Sequence, residues 1–151
     1  MLAAGKRAPD FTAHDQNDAP LRLSDLLKNG PLILYFYPAD FTPGCTREAC
    51  ALRDLHAQLA AAGVCVAGVS PQSARSHAAF AMKYALPFTL LCDPHKVLAR
   101  AYDVVGPLGF GTRRASFLIS RTGLIEDAVQ ADLRIGRHEE FFRKIVAAQA
   151  H

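Results

Sequence analysis

Apolar and polar positions fall into alternating blocks along this chain of 151 residues. Leu32 to Tyr37 is an unbroken run of six apolar residues, the pattern of a strand buried on both faces. Val64 to Val69 repeats it, with β-branched residues. Between the two, Leu52, Leu55 and Leu59 recur at helical spacing, and Gly63 closes the segment. Strand, helix and strand in that order predict a right-handed parallel crossover. The pattern continues with a helix over 73–84, in which Ala78, Phe80, Ala81 and Tyr84 are free to pack. A short strand at Thr89 to Leu91 and a short helix at Val97 to Tyr102 follow. Residues 103–113 contain four glycine or proline residues and read as a loop. Ala115 to Ile119 and Leu124 to Val129, joined by a turn at Ser120 to Gly123, form an antiparallel pair. Arg137 to Ala148 closes the chain as a helix with Phe141, Ile145 and Val146 inward.

Ahead of the first buried strand, Phe11 to His14 and Pro20 to Leu23 flank the polar turn Asp15 to Asp18 and read as a hairpin. Ser24 is placed to cap a short helix that stops at Asn29-Gly30. The expected class is α/β, with a central mixed sheet flanked by helices and an N-terminal hairpin extension. At this length residues 1–151 form one domain with a sizeable core. There is no repeat, linker or low-complexity segment.

Composition narrows the function classes. Half of the residues are hydrophobic and 21% are charged, an ordinary globular balance. The net charge of +3 is mild and scattered, which argues against nucleic-acid binding. No apolar window is long enough for a membrane span. The opening MLAAGKRAPDF has no apolar core of a secretory signal. Four cysteines in that context point to a reducing cytoplasm and to redox chemistry, not to a disulfide framework.

The chemistry concentrates where the first buried strand ends, in PADFTPGCTREAC. Thr42 suits a helix N-cap and Pro43 the first helical position. That puts Cys45 in the first turn, where unpaired N–H groups and the helix dipole favour an anion, here a nucleophilic thiolate. Cys50 lies five residues on. In an intact helix that spacing means about 7.5 Å of rise and about 140° of rotation. Disulfide partners need Cα atoms within roughly 7 Å and converging Cβ vectors. Either these two never bond, or the first turns unwind when they do. The second case describes a redox enzyme with a built-in conformational step.

P-x-x-x-T-x-x-C, here Pro38, Thr42 and Cys45, resembles the signature of the peroxiredoxins. The longer string YFYPADFTPGCTREAC is similar to their bacterioferritin-comigratory, or Q-type, subgroup. The likeness runs from APDF near the start to RRASFLISRTGLI near the end. Ala39 departs from it where a lysine is common, without consequence expected for the chemistry. The resemblance implies a thioredoxin-like fold and a cysteine peroxidase without metal, haem or flavin, acting on hydrogen peroxide and organic hydroperoxides.

The resemblance assigns Cys45 as the thiolate that attacks the terminal peroxide oxygen and becomes a sulfenic acid. It makes Cys50 the resolving thiol, forming an intramolecular disulfide that thioredoxin or glutaredoxin then reduces. Negative charge builds on the leaving oxygen, so donors aimed there lower the barrier. The candidates are the Thr42 hydroxyl, the Cys45 backbone N–H and an arginine. The family's arginine matches Arg114 in R-x-S-F-L-I. Arg113 is its competitor, and strand alternation should send the two to opposite faces. Pro38 ends the strand, and its ring can shield the sulfur. Glu48 can orient the arginine or stand as a solvated helix residue. Cys65 reads as an inert core thiol, and Cys92 as either inert or an alternative resolving cysteine. His14, His56, His77, His95, His138 and His151 show no metal-ligand spacing and read as surface or structural. An intramolecular scheme permits a monomer or weak dimer. Two competing functions are a protein thiol–disulfide oxidoreductase, disfavoured by the missing C-x-x-C, and a copper carrier, which would need a tighter cysteine pair and a histidine.

Overall fold

The computed structural model describes residues 1–149, so Ala150 and His151, the last two positions of the expected domain, lie outside it. Seven strands form one sheet: β1 (Thr12–His14), β2 (Pro20–Arg22), β3 (Leu32–Phe36), β4 (Cys65–Ser70), β5 (Thr89–Cys92), β6 (Ala115–Ile119) and β7 (Ile125–Gln130). Their order is β2-β1-β5-β4-β3-β6-β7. β3, β4 and β5 are parallel, whereas β6 and β7 run antiparallel to their neighbours, so the sheet is mixed as expected. The hairpin joins by a single antiparallel pairing of His14 with Cys92.

Both faces of β3 are covered, which explains its unbroken apolar run. Leu32, Leu34 and Phe36 join one core with Val69, Leu91, Tyr102 and Phe117. Ile33, Tyr35 and Tyr37 join the other with Leu52, Leu59, Phe80 and Phe142. The second core lies under three helices: α2 (Pro43–Ala61), α3 (Ala74–Tyr84) and α5 (Ile135–Gln149). The short α4 (Val97–Ala101) adds Leu98 and Ala99 to the first core. Gly63, at φ +78°, turns the chain out of α2 in a backbone region that favours glycine. Gly68 on β4 has another cause. A Cβ there would stand 2.8 Å from the Tyr35 ring, so the residue is small to let the aromatic lie flat on the strand. Among the described residues no helix is long and apolar enough to cross a membrane.

Two boundaries differ from the expectation. α1 (Leu23–Leu26) begins two residues earlier, with Arg22 and not Ser24 at the N-cap. Leu23 is buried, so the chain must leave β2 immediately to carry that side chain inward. The Asp25 carboxylate accepts the Arg22 N–H at 2.9 Å and closes this first turn. α5 begins at Ile135, not Arg137, because Ile135 packs over the start of α2 beside Gly44.

Candidate active site

The carboxyl end of β3 leads through Tyr37 to Phe41 into the N-terminus of α2. Asp40 in this loop is buried and held from three sides. Tyr37 donates its hydroxyl to Asp40 Oδ1 at 2.6 Å, and Ser76 donates to Oδ2 at 2.7 Å. His77 Nδ1 lies 2.8 Å from Oδ2, while its Nε2 donates to the Leu91 carbonyl at 3.0 Å. Burial alone would raise the Asp40 carboxyl, but the bonds from His77, Tyr37 and Ser76 carry it below its usual range. The network therefore pins the loop to α3 and β5. Phe41 follows at φ +66°, a costly conformation for a bulky residue, with its ring edge-on to Phe80.

Thr42 is the N-cap of α2 and Pro43 its first residue, as the sequence suggests. The Thr42 side chain caps nothing, however. Its Oγ1 donates to the Ala39 carbonyl at 3.3 Å. The first intrahelical bond runs from the Thr46 N–H to the Thr42 carbonyl at 2.8 Å. The N–H groups of Gly44 and Cys45 thus precede the ladder and have no partner within it. Cys45 is buried, and Pro38 is exposed at the end of the strand.

The arginine expected at position 114 reaches this sulfur. Arg114 Nη2 donates to Cys45 Sγ at 3.3 Å, and Nη1 donates to Glu48 Oε1 at 2.8 Å. Its backbone N–H donates to Asp132 Oδ1 at 2.9 Å, which anchors the residue just before β6. Arg113 turns the other way and pairs with Asp132 Oδ2 at 3.3 Å. Burial opposes charge on Arg114, but the Glu48 carboxyl and the Cys45 sulfur beside it outweigh that and hold the guanidinium above its ordinary value.

Glu48 is not a solvated helix residue. It is fully buried, because its position on α2 faces α5 and β6. Burial raises it to about 7, against the pull of Arg114, with a further push from Glu139. Next to it stands His138 of α5, also fully buried. Its Nδ1 lies 2.9 Å from Ser116 Oγ and 3.4 Å from Glu48 Oε2. The sequence reads His138 only as surface or structural and gives Ser116 no role. Strand alternation was the available signal, since Ser116 must share the face of Arg114. Gly44 was also passed over. A Cβ there would meet Arg114 Nη2 at 3.1 Å, so the glycine leaves the space through which the guanidinium approaches.

All four cysteines are thiols. Cys45 and Cys50 both lie on the unbroken α2. Cys65 is half-buried rather than enclosed, because β4 begins with it at the sheet margin. Cys92 is half-buried, and burial together with Asp18, Asp40 and Asp15 raises its thiol to about 11. It is thereby a poor thiolate donor at neutral pH.

Comparison with known proteins places this arrangement. The AhpC/TSA family model matches residues 4–128. A peroxiredoxin bcp of Coxiella burnetii is 42% identical over 143 residues, covering 91% of this chain and 93% of that protein. Peroxidoxin BcpB of Mycobacterium tuberculosis superimposes with a TM-score of 0.90 at 33% identity, covering 98% of both chains. The bacterioferritin comigratory protein of Xanthomonas campestris, studied for its alkyl peroxide reduction activity, has a TM-score of 0.86 at 28% identity over 98% of this chain and 99% of that one.

Proposed function

Because the chain belongs to the AhpC/TSA family and is a thiol peroxidase of the peroxiredoxin kind, we propose that Cys45 is the sulfur that meets peroxide and Cys50 the thiol that resolves it. The observation that carries the assignment is the 3.3 Å contact from Arg114 Nη2 to Cys45 Sγ at the open end of α2. A buried guanidinium there stabilises a thiolate and orients the incoming peroxide.

The sulfur attacks the terminal oxygen of the peroxide. An S–O bond forms, the O–O bond breaks, and the departing oxygen takes a proton to leave as water or an alcohol. Charge on that oxygen is met by Arg114, by the N–H groups at the start of α2 and by the Thr42 hydroxyl. Thr42 can turn from the Ala39 carbonyl to do this, as nothing else holds it. Pro38 sets the exit of β3, so that the loop carrying Thr42 approaches Cys45 from one side.

Cys50 then attacks the sulfenic sulfur. A disulfide forms and water leaves. With both residues on one helix this needs the first turns of α2 to open. A thioredoxin or glutaredoxin dithiol returns both cysteines to thiols and is itself oxidised. Hydrogen peroxide and small organic hydroperoxides are the substrates, and the reducing cytoplasm is the compartment that supplies the dithiol. The chain acts as one domain, and a monomer or weak dimer suffices because both cysteines lie on the same helix.

Stopped-flow reduction of hydrogen peroxide by the pre-reduced protein tests this, with Cys45→Ser and Cys50→Ser alongside. Cys45→Ser abolishes turnover, and Cys50→Ser consumes one equivalent of peroxide without normal recycling. Reaction of the unmodified protein no faster than a free thiol would refute the assignment. The copper-carrier alternative lacks support in the geometry. Among the described residues no group of three histidine, cysteine or acidic side chains is assembled to hold a metal.

A further inference from the structure

Arg114 occupies one oxygen of Glu48, Oε1. The other, Oε2, is buried and carries no hydrogen-bond partner among the described residues. The polar atom facing it is Nδ1 of His138, at 3.4 Å. His138 Nε2 lies 2.9 Å from the Ala131 carbonyl oxygen. A carbonyl only accepts, so Nε2 carries a hydrogen, and in a neutral ring Nδ1 is then a bare acceptor. An ionised Glu48 would turn its lone pairs toward that acceptor with nothing between them. One proton on Oε2 removes the conflict.

We propose that His138 is a positioning residue of the site: Glu48 Oε2 carries a proton and donates it to His138 Nδ1, which leaves Cys45 as the one anionic partner of Arg114. The inference rests on the reading of Cys45 given above.

Charge balance supports it. With Glu48 ionised, a single buried guanidinium would face a carboxylate and a thiolate, and the surplus negative charge would lie out of water. The surrounding groups do not supply the missing positive charge. Arg47 of α2 is paired with Glu139 of α5. Asp132, before α5, is taken by Arg113 and by the Arg114 backbone. Arg137 of α5 is exposed, and Tyr35 of β3 stays neutral because burial raises it well above its ordinary value. The two titrating groups lean the same way. Burial lifts Glu48 to about 7 and holds His138 below its ordinary value, so the proton belongs on the carboxyl. Ser116 Oγ, 2.9 Å from Nδ1, donates to the same nitrogen from β6, so Nδ1 is shared between this shorter bond and the longer contact from Glu48.

The test uses the full-length reduced protein. An infrared titration from about pH 5 to about pH 9 follows the carbonyl stretch of a protonated buried carboxyl, assigned by its loss in Glu48→Gln. Rapid-quench oxidation of Cys45 by hydrogen peroxide is measured over the same range. The band should be present in acid and fade as the pH passes about 7. In His138→Asn an amide N–H₂ faces Oε2 and favours the ionised form. The fading should move about one pH unit lower, and oxidation at about pH 7 should slow about fivefold as the protonated fraction falls. Nitrogen-15 NMR of the unmodified imidazole gives a reading that needs no variant, and a neutral ring protonated at Nε2 is expected. An imidazolium, a band unmoved in His138→Asn, or a band that moves without slowing oxidation would each overturn the proposal. A normal titration in a protein no faster than a free thiol would instead overturn the assignment of Cys45.

Discussion

Arg114 and Cys45 meet at 3.3 Å although 69 positions separate them in the chain. The arginine is anchored at the sheet, where its backbone is bonded to Asp132 and the next residue begins β6. The sulfur stands on the first turn of a helix. Replacing Arg114 with alanine should lower kcat/KM for hydrogen peroxide by on the order of 100- to 1,000-fold, the usual cost of losing one donor to developing charge. Arg114→Lys should recover little of it. Two separate nitrogens of the guanidinium serve Cys45 and Glu48, and an ammonium cannot span both. Stopped-flow kinetics with the two variants measure this, and full activity in Arg114→Lys would contradict it.

Thr42 should separate catalysis from stability. An N-cap threonine that bonds the helix typically contributes about 1 kcal/mol. Here the hydroxyl goes to the Ala39 carbonyl instead. Thr42→Val should therefore leave urea stability within about 0.5 kcal/mol while slowing peroxide reduction at least about tenfold. Thr42→Ser should keep the rate. Equal loss in Val and Ser variants would show that the hydroxyl is idle.

Oxidation should open α2 locally. Amide exchange compared between reduced and disulfide forms should show protection lost over residues 43–50 and retained in β3, which is buried on both faces. The same protection in both forms would mean that Cys50 does not bond with Cys45.

Glu48 should make stability depend on pH in a defined direction. Its carboxyl is raised from 4.5 to about 7, so the folded state holds a proton that the unfolded chain releases earlier. Stability from this group is fully present below about 4.5 and is lost as the pH rises through about 7. The loss amounts to at most about 3 kcal/mol. His138 works oppositely: its depressed value costs stability as the pH falls below 6.5. Subtracting the denaturation free energies of Glu48→Gln from those of the unmodified protein, pH by pH, isolates the Glu48 part. A flat difference between about pH 5 and about pH 8 would refute it.

The Asp40 network should be structural first. Asp40→Ala leaves Tyr37, Ser76 and His77 without their shared acceptor inside the protein. Chemical denaturation should report a loss of about 3 kcal/mol. Peroxide reduction should fall as well, since Phe41 and Thr42 lose the anchor behind them. A surface-like change below about 0.5 kcal/mol would argue against the network.

Much of this was legible from residues alone, for reasons that can be named. Leu32 to Tyr37 announced a doubly covered strand because both faces of β3 meet a core. Thr42-Pro43 announced a helix start because proline fits there and almost nowhere later. The resemblance pointed to Arg114, and the structure brings it to the sulfur. What stayed hidden were long-range meetings of polar side chains. Glu48 reads equally as a carboxylate that orients the arginine and as a solvated helix residue until its burial against α5 decides. His77 and His138 read only as surface or structural, and the partners that decide it lie 37 and 22 positions away. Ser24 misled because a good capping residue stood two residues too late for the buried Leu23.

The Arg47–Glu139 ion pair lashes the opening turns of α2 to α5, partly in contact with solvent. Under the proposed roles of Cys45 and Cys50, that lashing would keep a sulfenic acid on Cys45 from Cys50 but not from a second peroxide, so that each turnover would be a race between closing the disulfide and irreversible loss to the sulfinic acid. An ion pair of this kind is loosened by salt. On that scheme the ionic strength of the medium would tune durability, letting the helix yield sooner in concentrated electrolyte than in dilute solution.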